Sequence, residues 1–432
     1  MKKLLFLILP AVIFAQSFMI SNIPLPKTYI QNLDPYECNE ECMQQYLDND
    51  MIFSFLAHAN QKLQNRAQDE ARVLNISILN LGAFNAGAQL RIALLLPYKK
   101  IGKYASSTTN AAFAYMMTKS HSFMLKSYKV ESEESSDLRD ALLKIQKDGF
   151  SYVIAPVTKK GAQNIINIDP DLNIYFPTIN KQDVHSSSPF LSFGGINYQT
   201  QSDMLLKEAV YPLVILSDKS LTGKKLALYQ EDRFLNPILV NSSSSTIEEE
   251  TSVYEEKKRP NFNQNGELIN KKIIKYFISR RTTNLENYLE ENENIVNGSF
   301  FINTPIIKSS MIMSQLTLYD TNATNILSTQ INYDPLLLSM TQYIDRKSMI
   351  VANSITEQNN VLIETNSLLG NDIVYDWINY TTTIGVDYYY NQITGEDREY
   401  LVQMQDNQMV YETELLKPSR SKFIKHIPLL IE

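Results

Sequence analysis

The sequence predicts an α/β chain built on parallel sheets, with a short helical segment ahead of them. Three observations carry this. From Arg91 onward, short apolar runs such as RIALLLP, FSYVIAPV, LNIYFP, PFLSFGG and KLALYQED recur without clean alternation. Strands buried on both faces read this way. Helical patterns over Ala105–Lys119, Ser136–Lys147, Lys160–Asn167 and Gln199–Ala209 lie between the runs, and such alternation makes βαβ units. Before Arg91 the pattern differs: Ile52, Phe55, Leu56, Ala59 and Leu63 recur at helical spacing.

The elements follow in order. Met1–Ala15 reads MKKLLFLILPAVIFA, two lysines, an apolar run and a small residue. That is the pattern of a secretory signal peptide, and the run is too short to span a bilayer. No cysteine follows it, so a soluble, exported, periplasmic protein without a lipid anchor or a membrane span in the mature chain is expected. Residues 16–90 are expected to be extended, then helical. In DPYECNEEC, Asp34 suits an N-cap, Pro35 the first helical position and Glu37 a capping box. Cys38 and Cys42 then fall on one helix face, within disulfide reach. A local disulfide is the leading reading in an oxidising compartment; pairing with another chain is the alternative.

Residues 241–270 break the α/β pattern with SSSS, EEE and EEKKRP and are expected to form a mobile, solvated insertion. Helical patterns resume at Lys271–Phe277 and Leu285–Glu291, followed by a strand SFFINTP, a helix near Ser309–Leu318 and a strand near Asn325–Gln330. IVYDWINYTTTIG reads as a helix. YLVQMQDNQMVYETE reads as a hairpin turning at Asp406-Asn407.

Composition narrows the function. The net charge of −7 gives no basic surplus for nucleic acid. Only 13 of 432 residues are glycine, which disfavours nucleotide-cradling loops. None of the four histidines, His58, His121, His185 and His426, stands at metal-ligand spacing from another. No G-x-S-x-G, P-loop or G-x-G-x-x-G occurs. A non-enzymatic protein without cofactor or metal is expected. Tyr388–Tyr390, Tyr400 and Tyr411 suit a protein interface or edge-strand packing equally. Asp320–Thr324, DTNAT, fits the acidic acceptor sequence of bacterial N-glycosylation and marks Asn322 as a possible modification site.

RIALLLPYKKIGKYA, GFSYVIAPVTKKGA, YPLVILSDKSLTGKKLALYQED, SFFINTP, NILSTQIN, LGNDIVYD and the closing NQITGEDREYLVQMQDNQMVYETELLKP occur in an order that resembles the type 1 periplasmic-binding-protein fold. They are most similar to the C-terminal domain of penicillin-binding protein activators, the LpoA family. The resemblance implies two α/β lobes: lobe 1 over 91–196 and 329–353, lobe 2 over 197–328 and 354–432. Ligands of open α/β sheets bind at the carboxyl ends of strands, here Tyr98, Thr158, Thr178 and Asn180. For Thr158, ordinary helix capping is the preferred reading. The resemblance further implies an envelope protein partner, a peptidoglycan synthase or a larger periplasmic assembly, held by a binding-protein-like domain. The alternative is a solute-binding protein for an amino acid or similar small molecule.

Overall fold

A computed structural model describes residues 30–79, 81, 90–119, 121–236 and 272–427. The expected signal peptide, residues 82–89 ahead of the first apolar run and the expected insertion at 241–270 lie outside the described residues. The chain divides into two units, residues 1–89 with 121–127, and residues 90–120 with 128–432.

The first unit holds helices α1 (Glu40–Asp48), α2 (Ile52–His58) and α3 (Arg66–Ile78). Phe55, Leu56, Ala59 and Leu81 form its buried centre, with Met43, Tyr46, Leu47 and Ile76 packed around them. Cys38 and Cys42 form a disulfide across a Cα–Cα distance of 5.3 Å. The helix starts later than the sequence predicts. Asn39, not Asp34, is the N-cap, and its side chain accepts from Cys42 N–H at 2.9 Å. Asp34 instead closes a turn by accepting from Tyr36 N–H. Cys38 therefore precedes the helix that carries Cys42. The His58 ring stacks on Tyr46, meets Asn32 Nδ2 at 3.1 Å and stands 3.8 Å from Asp34. Burial pushes its pKa down, partly opposed by the Asp34 charge.

The second unit contains two seven-stranded sheets, except that residues 123–127 of one strand group with the first unit. Their strands are β1 (Leu90–Leu96), β2 (Phe123–Lys129), β3 (Tyr152–Ile154), β4 (Asn173–Phe176), β5 (Leu191–Phe193), β6 (Leu213–Asp218), β7 (Ile273–Ile278), β8 (Ser299–Asn303), β9 (Asn325–Ser328), β10 (Met349–Asn353), β11 (Gln403–Gln405), β12 (Gln408–Val410), β13 (Glu414–Pro418) and β14 (Phe423–Lys425). The first sheet runs β11-β12-β5-β4-β3-β1-β2 and the second β14-β13-β10-β9-β8-β6-β7. The central pairings are parallel and one edge of each sheet ends in an antiparallel pair, β11–β12 in the first and β13–β14 in the second. The longer helices are α4 (Tyr104–Met117), α5 (Ser135–Lys147), α6 (Lys159–Ile168), α7 (Tyr198–Leu206), α8 (Leu221–Leu235), α9 (Ile306–Leu318), α10 (Asn360–Leu368) and α11 (Trp377–Thr394). Strands such as β1 and β8 are buried nearly throughout, as their uninterrupted apolar sequences require.

Several elements differ from expectation. KLALYQED lies in α8, because Ser220 caps Gly223 N–H and the following Lys, Leu, Ala, Gln and Glu favour helix. Lys271–Phe277 does not continue as helix; its β-branched and aromatic residues form β7 beside β6. The chain also switches lobes at different points. β10 stands between β9 and β13 in the second sheet, so residues 349–353 do not return to lobe 1. All five residues of β10 are buried, and an interior slot covers both faces. The hairpin β11–β12 joins the first sheet through β5 instead of the second. Its turn residues Asp406 and Asn407 both adopt positive φ, as a tight hairpin turn needs. Helix α11 also packs on the first sheet. Gly385 makes this possible, since a Cβ there would lie 2.2 Å from the Tyr175 ring. Among the described residues, no helix is long and apolar enough to cross a membrane.

Candidate functional site

In parallel sheets the strands deliver the chain to one edge, and loops leaving that edge frame the site. Three segments cross between the lobes there: Gly194–Asn197 after β5, the stretch after Asn353, and Tyr411–Thr413. Hydrogen bonds tie the crossings together. The Tyr411 hydroxyl donates to Gly194 O at 2.9 Å, and Thr381 Oγ1 donates to the same carbonyl at 2.9 Å. Ser354 Oγ and Thr413 Oγ1 share a bond at 2.9 Å. The fully buried Gln201 donates to Ser354 Oγ at 2.9 Å and to Gln330 Oε1 at 3.1 Å, and accepts from Gln330 N–H. Burial drives the phenol of Tyr175, packed in this cluster, up to about 12. These tyrosines stay neutral and act as hydrogen-bonding wedges.

A cavity of about 690 Å³ opens beside the crossings. Asn180, His185, Asn197, Ser354, Gln408 and Tyr411 are among its lining residues. Much of this polar lining is already engaged. Asn180 donates to Gly195 O and Ile196 O and accepts from Gln182 N–H. Gln408 accepts from Lys181 N–H and donates to Gly195 O. Asn197 caps α7. Asp406 pairs with Lys181 at 2.7 Å.

The end of β3 leads into Thr158, the N-cap of α6, which accepts from Gly161 N–H. A helix N-terminus with free amides attracts an anion. Here the anion belongs to the chain. Glu133, 2% exposed, accepts from Thr158 N–H at 2.8 Å, and the Thr158 hydroxyl donates to its second oxygen. Asn164 Nδ2 holds the Glu133 carbonyl at 2.6 Å. Gly161 leaves the space: a Cβ there would lie 2.7 Å from Glu133 Cδ. The second lobe repeats the device. Asp218, at the end of β6, accepts from Ser220 N–H at the start of α8. The end of β8 is sealed by a reciprocal amide pair, Asn303 with Gln230, both buried.

No family model and no curated protein matches the chain. Solved structures do match it. The C-domain of LpoA (YraM) from Haemophilus influenzae, described as a regulator of PBP1A, aligns at TM-score 0.51 and 9% identity, over 78% of this chain and 100% of that one. An ABC transporter substrate-binding protein from Sphaerobacter thermophilus gives 0.52 at 11% identity, over 78% and 96%. The leucine-binding protein LivK from Thermotoga maritima MSB8 gives 0.50 at 12% identity, over 78% and 98%. This chain has the type 1 periplasmic-binding-protein fold.

Within that fold, the residues singled out from sequence are dispersed. Asn180 lines the cavity; Tyr98, Thr158 and Thr178 do not. Thr178 Oγ1 donates to Val157 O at 2.9 Å, which joins the ends of β4 and β3. Tyr98 opens a one-turn helix after β1. Asn322 is exposed at positive φ on the turn after α9. The tyrosine-rich end offers little interface: Tyr389, Tyr390 and Tyr400 are buried, and Tyr411 serves the crossing network. Glu133 escaped sequence reading because it sits in an acidic, serine-rich run, ESEESSD, of the sort normally solvated.

Proposed function

We propose that this protein is an exported, non-enzymatic component of the cell envelope that uses its binding-protein-like domain to hold another protein. The signal-like opening of the sequence supports export to the periplasm. The observation that carries the reading is Glu133. A solute receptor of this architecture needs open polar groups at the strand ends, whereas here a buried side chain of the chain itself satisfies them. The engaged amides around the cavity point the same way. The regulatory description of the similar LpoA domain supports a partner in peptidoglycan synthesis or a related envelope assembly. Cross-linking in the native envelope followed by purification tests this. Recovery of a discrete heterologous envelope protein is expected; recovery of the chain alone would sink the reading.

A second reading is a receptor for an amino acid or similar small molecule, with Asn180 in its site. The cavity favours it, as does Gln330 Nε2, a buried donor without a partner among the described residues, on the side chain whose Oε1 binds the cavity residue Ser354. Ligand-dependent unfolding separates the two.

A further inference from the structure

Helix α8 carries an apolar stripe on its outer face. Leu221, Leu228 and Leu235 are 70%, 58% and 53% exposed. Seven residues make nearly two turns, so the three leucines line up along the helix. The opposite face is buried through Leu226, Ala227, Gln230 and Phe234, so the helix is already anchored without the stripe. Among the described residues, these leucines are the large apolar side chains that α8 turns to solvent.

The charges beside the stripe are ordered. Lys224 and Lys225 precede Leu228, and Glu231 and Asp232 follow it. Reversing the helix about Leu228 sets Leu221 against Leu235, Leu228 against itself, Lys225 against Asp232 and Lys224 against Glu231, each within one residue of rise. A parallel pairing would set lysine against lysine and acid against acid, which costs energy. The pattern is thus complementary to itself in one orientation. Local contacts leave these charges largely available. Lys225 and Asp183 are 3.8 Å apart with both side chains more than half exposed. Glu231 also accepts from Lys275 of β7, so Lys225 with Asp232 is the stronger of the two pairs.

We propose that α8 mates with α8 of a second copy, antiparallel about a two-fold axis at Leu228. Such an isologous contact closes on itself and gives a dimer, not a filament. Three leucines a side make a small interface compared with the ~1,200–2,000 Å² of stable complexes. The association is therefore weak, with a dissociation constant on the order of 10–100 µM. This inference stands apart from the envelope-partner reading.

Sedimentation equilibrium of the purified protein over a concentration series spanning that range tests it. A monomer–dimer equilibrium is expected. Lys225→Asp and Asp232→Lys each convert two attractive pairs to repulsive ones and should weaken the dimer about ten-fold. The double variant K225D/D232K exchanges the partners and should recover near wild-type affinity. Leu228→Asp places two carboxylates at the axis and should leave monomer. All three sites are at the surface, and circular dichroism verifies that each of the four variants is folded. A wild-type chain that stays monomeric throughout overturns the proposal. So does a double variant no tighter than the single ones. The protein is tested alone, so neither result bears on capture of a different envelope protein.

Discussion

Replacing Glu133 by alanine removes the anion that covers the start of α6. Its carboxylate makes two hydrogen bonds to Thr158 and sits at a helix N-terminus. Hydrogen bonds to a buried charge contribute about 1.5–3 kcal/mol each, and a charge at a helix N-terminus about 0.3–1 kcal/mol. Water entering the space left by the side chain returns part of this, so a net loss of about 2–4 kcal/mol follows. For a unit of this size that lowers the unfolding midpoint by roughly 3–6 °C. Glu133→Gln keeps an oxygen for Thr158 N–H and should cost about half as much. Trp377, the sole tryptophan, begins α11 of the same unit and supplies a fluorescence signal specific to it. Acetate should stabilise Glu133→Ala more than the wild type, because it can occupy the vacated anion position. An alanine variant that unfolds within about 1 °C of wild type, or acetate that acts equally on both, would refute the reasoning.

Gly385→Val forces a side chain into the Tyr175 ring and should destabilise by about 1–3 kcal/mol or more, read in the same unfolding assay. His58 has a folded-state pKa below its ordinary 6.5, so the unfolded chain takes up the proton first. Its contribution is complete above about pH 6.5 and declines as pH falls below it. Hydrogen-exchange protection factors over α1 and α2, corrected for the intrinsic pH dependence of exchange, should fall as the pH drops below about 6.5, and His58→Gln should flatten that fall; pH-independent protection in the wild type would contradict it. For Asn322, intact mass of the protein from its native host should show a glycan increment that Asn322→Gln abolishes; an unmodified native mass ends the idea.

The fold was largely readable because continuous apolar runs such as RIALLLP and SFFIN admit few environments. Where reading failed, tertiary partners decided. KKIIKYF satisfies helix and strand patterns alike until β6 offers a neighbour for pairing. KLALYQED is apolar enough for a strand, yet the Ser220 cap starts a helix upstream of it. The lobe assignment of β10 and of the β11–β12 hairpin rests on long-range pairings that no local pattern encodes. The site was less readable than the fold. Thr158, Thr178 and Asn180 were found because strand ends are legible as apolar runs that stop. Their satisfaction by Glu133, Val157 and Gly195 was not, because partners distant in sequence supply it.

The claim that the strand-end polar groups serve the fold and not a solute is tested most directly by following Trp377 fluorescence during unfolding, with a panel of amino acids, peptides and muropeptides. A ligand at 100 times its dissociation constant adds about 2.7 kcal/mol, enough to raise the midpoint by roughly 4 °C. No compound is expected to move it by more than about 1 °C, a fraction of that shift. A full-size shift with one compound would contradict it and identify the protein as a solute receptor.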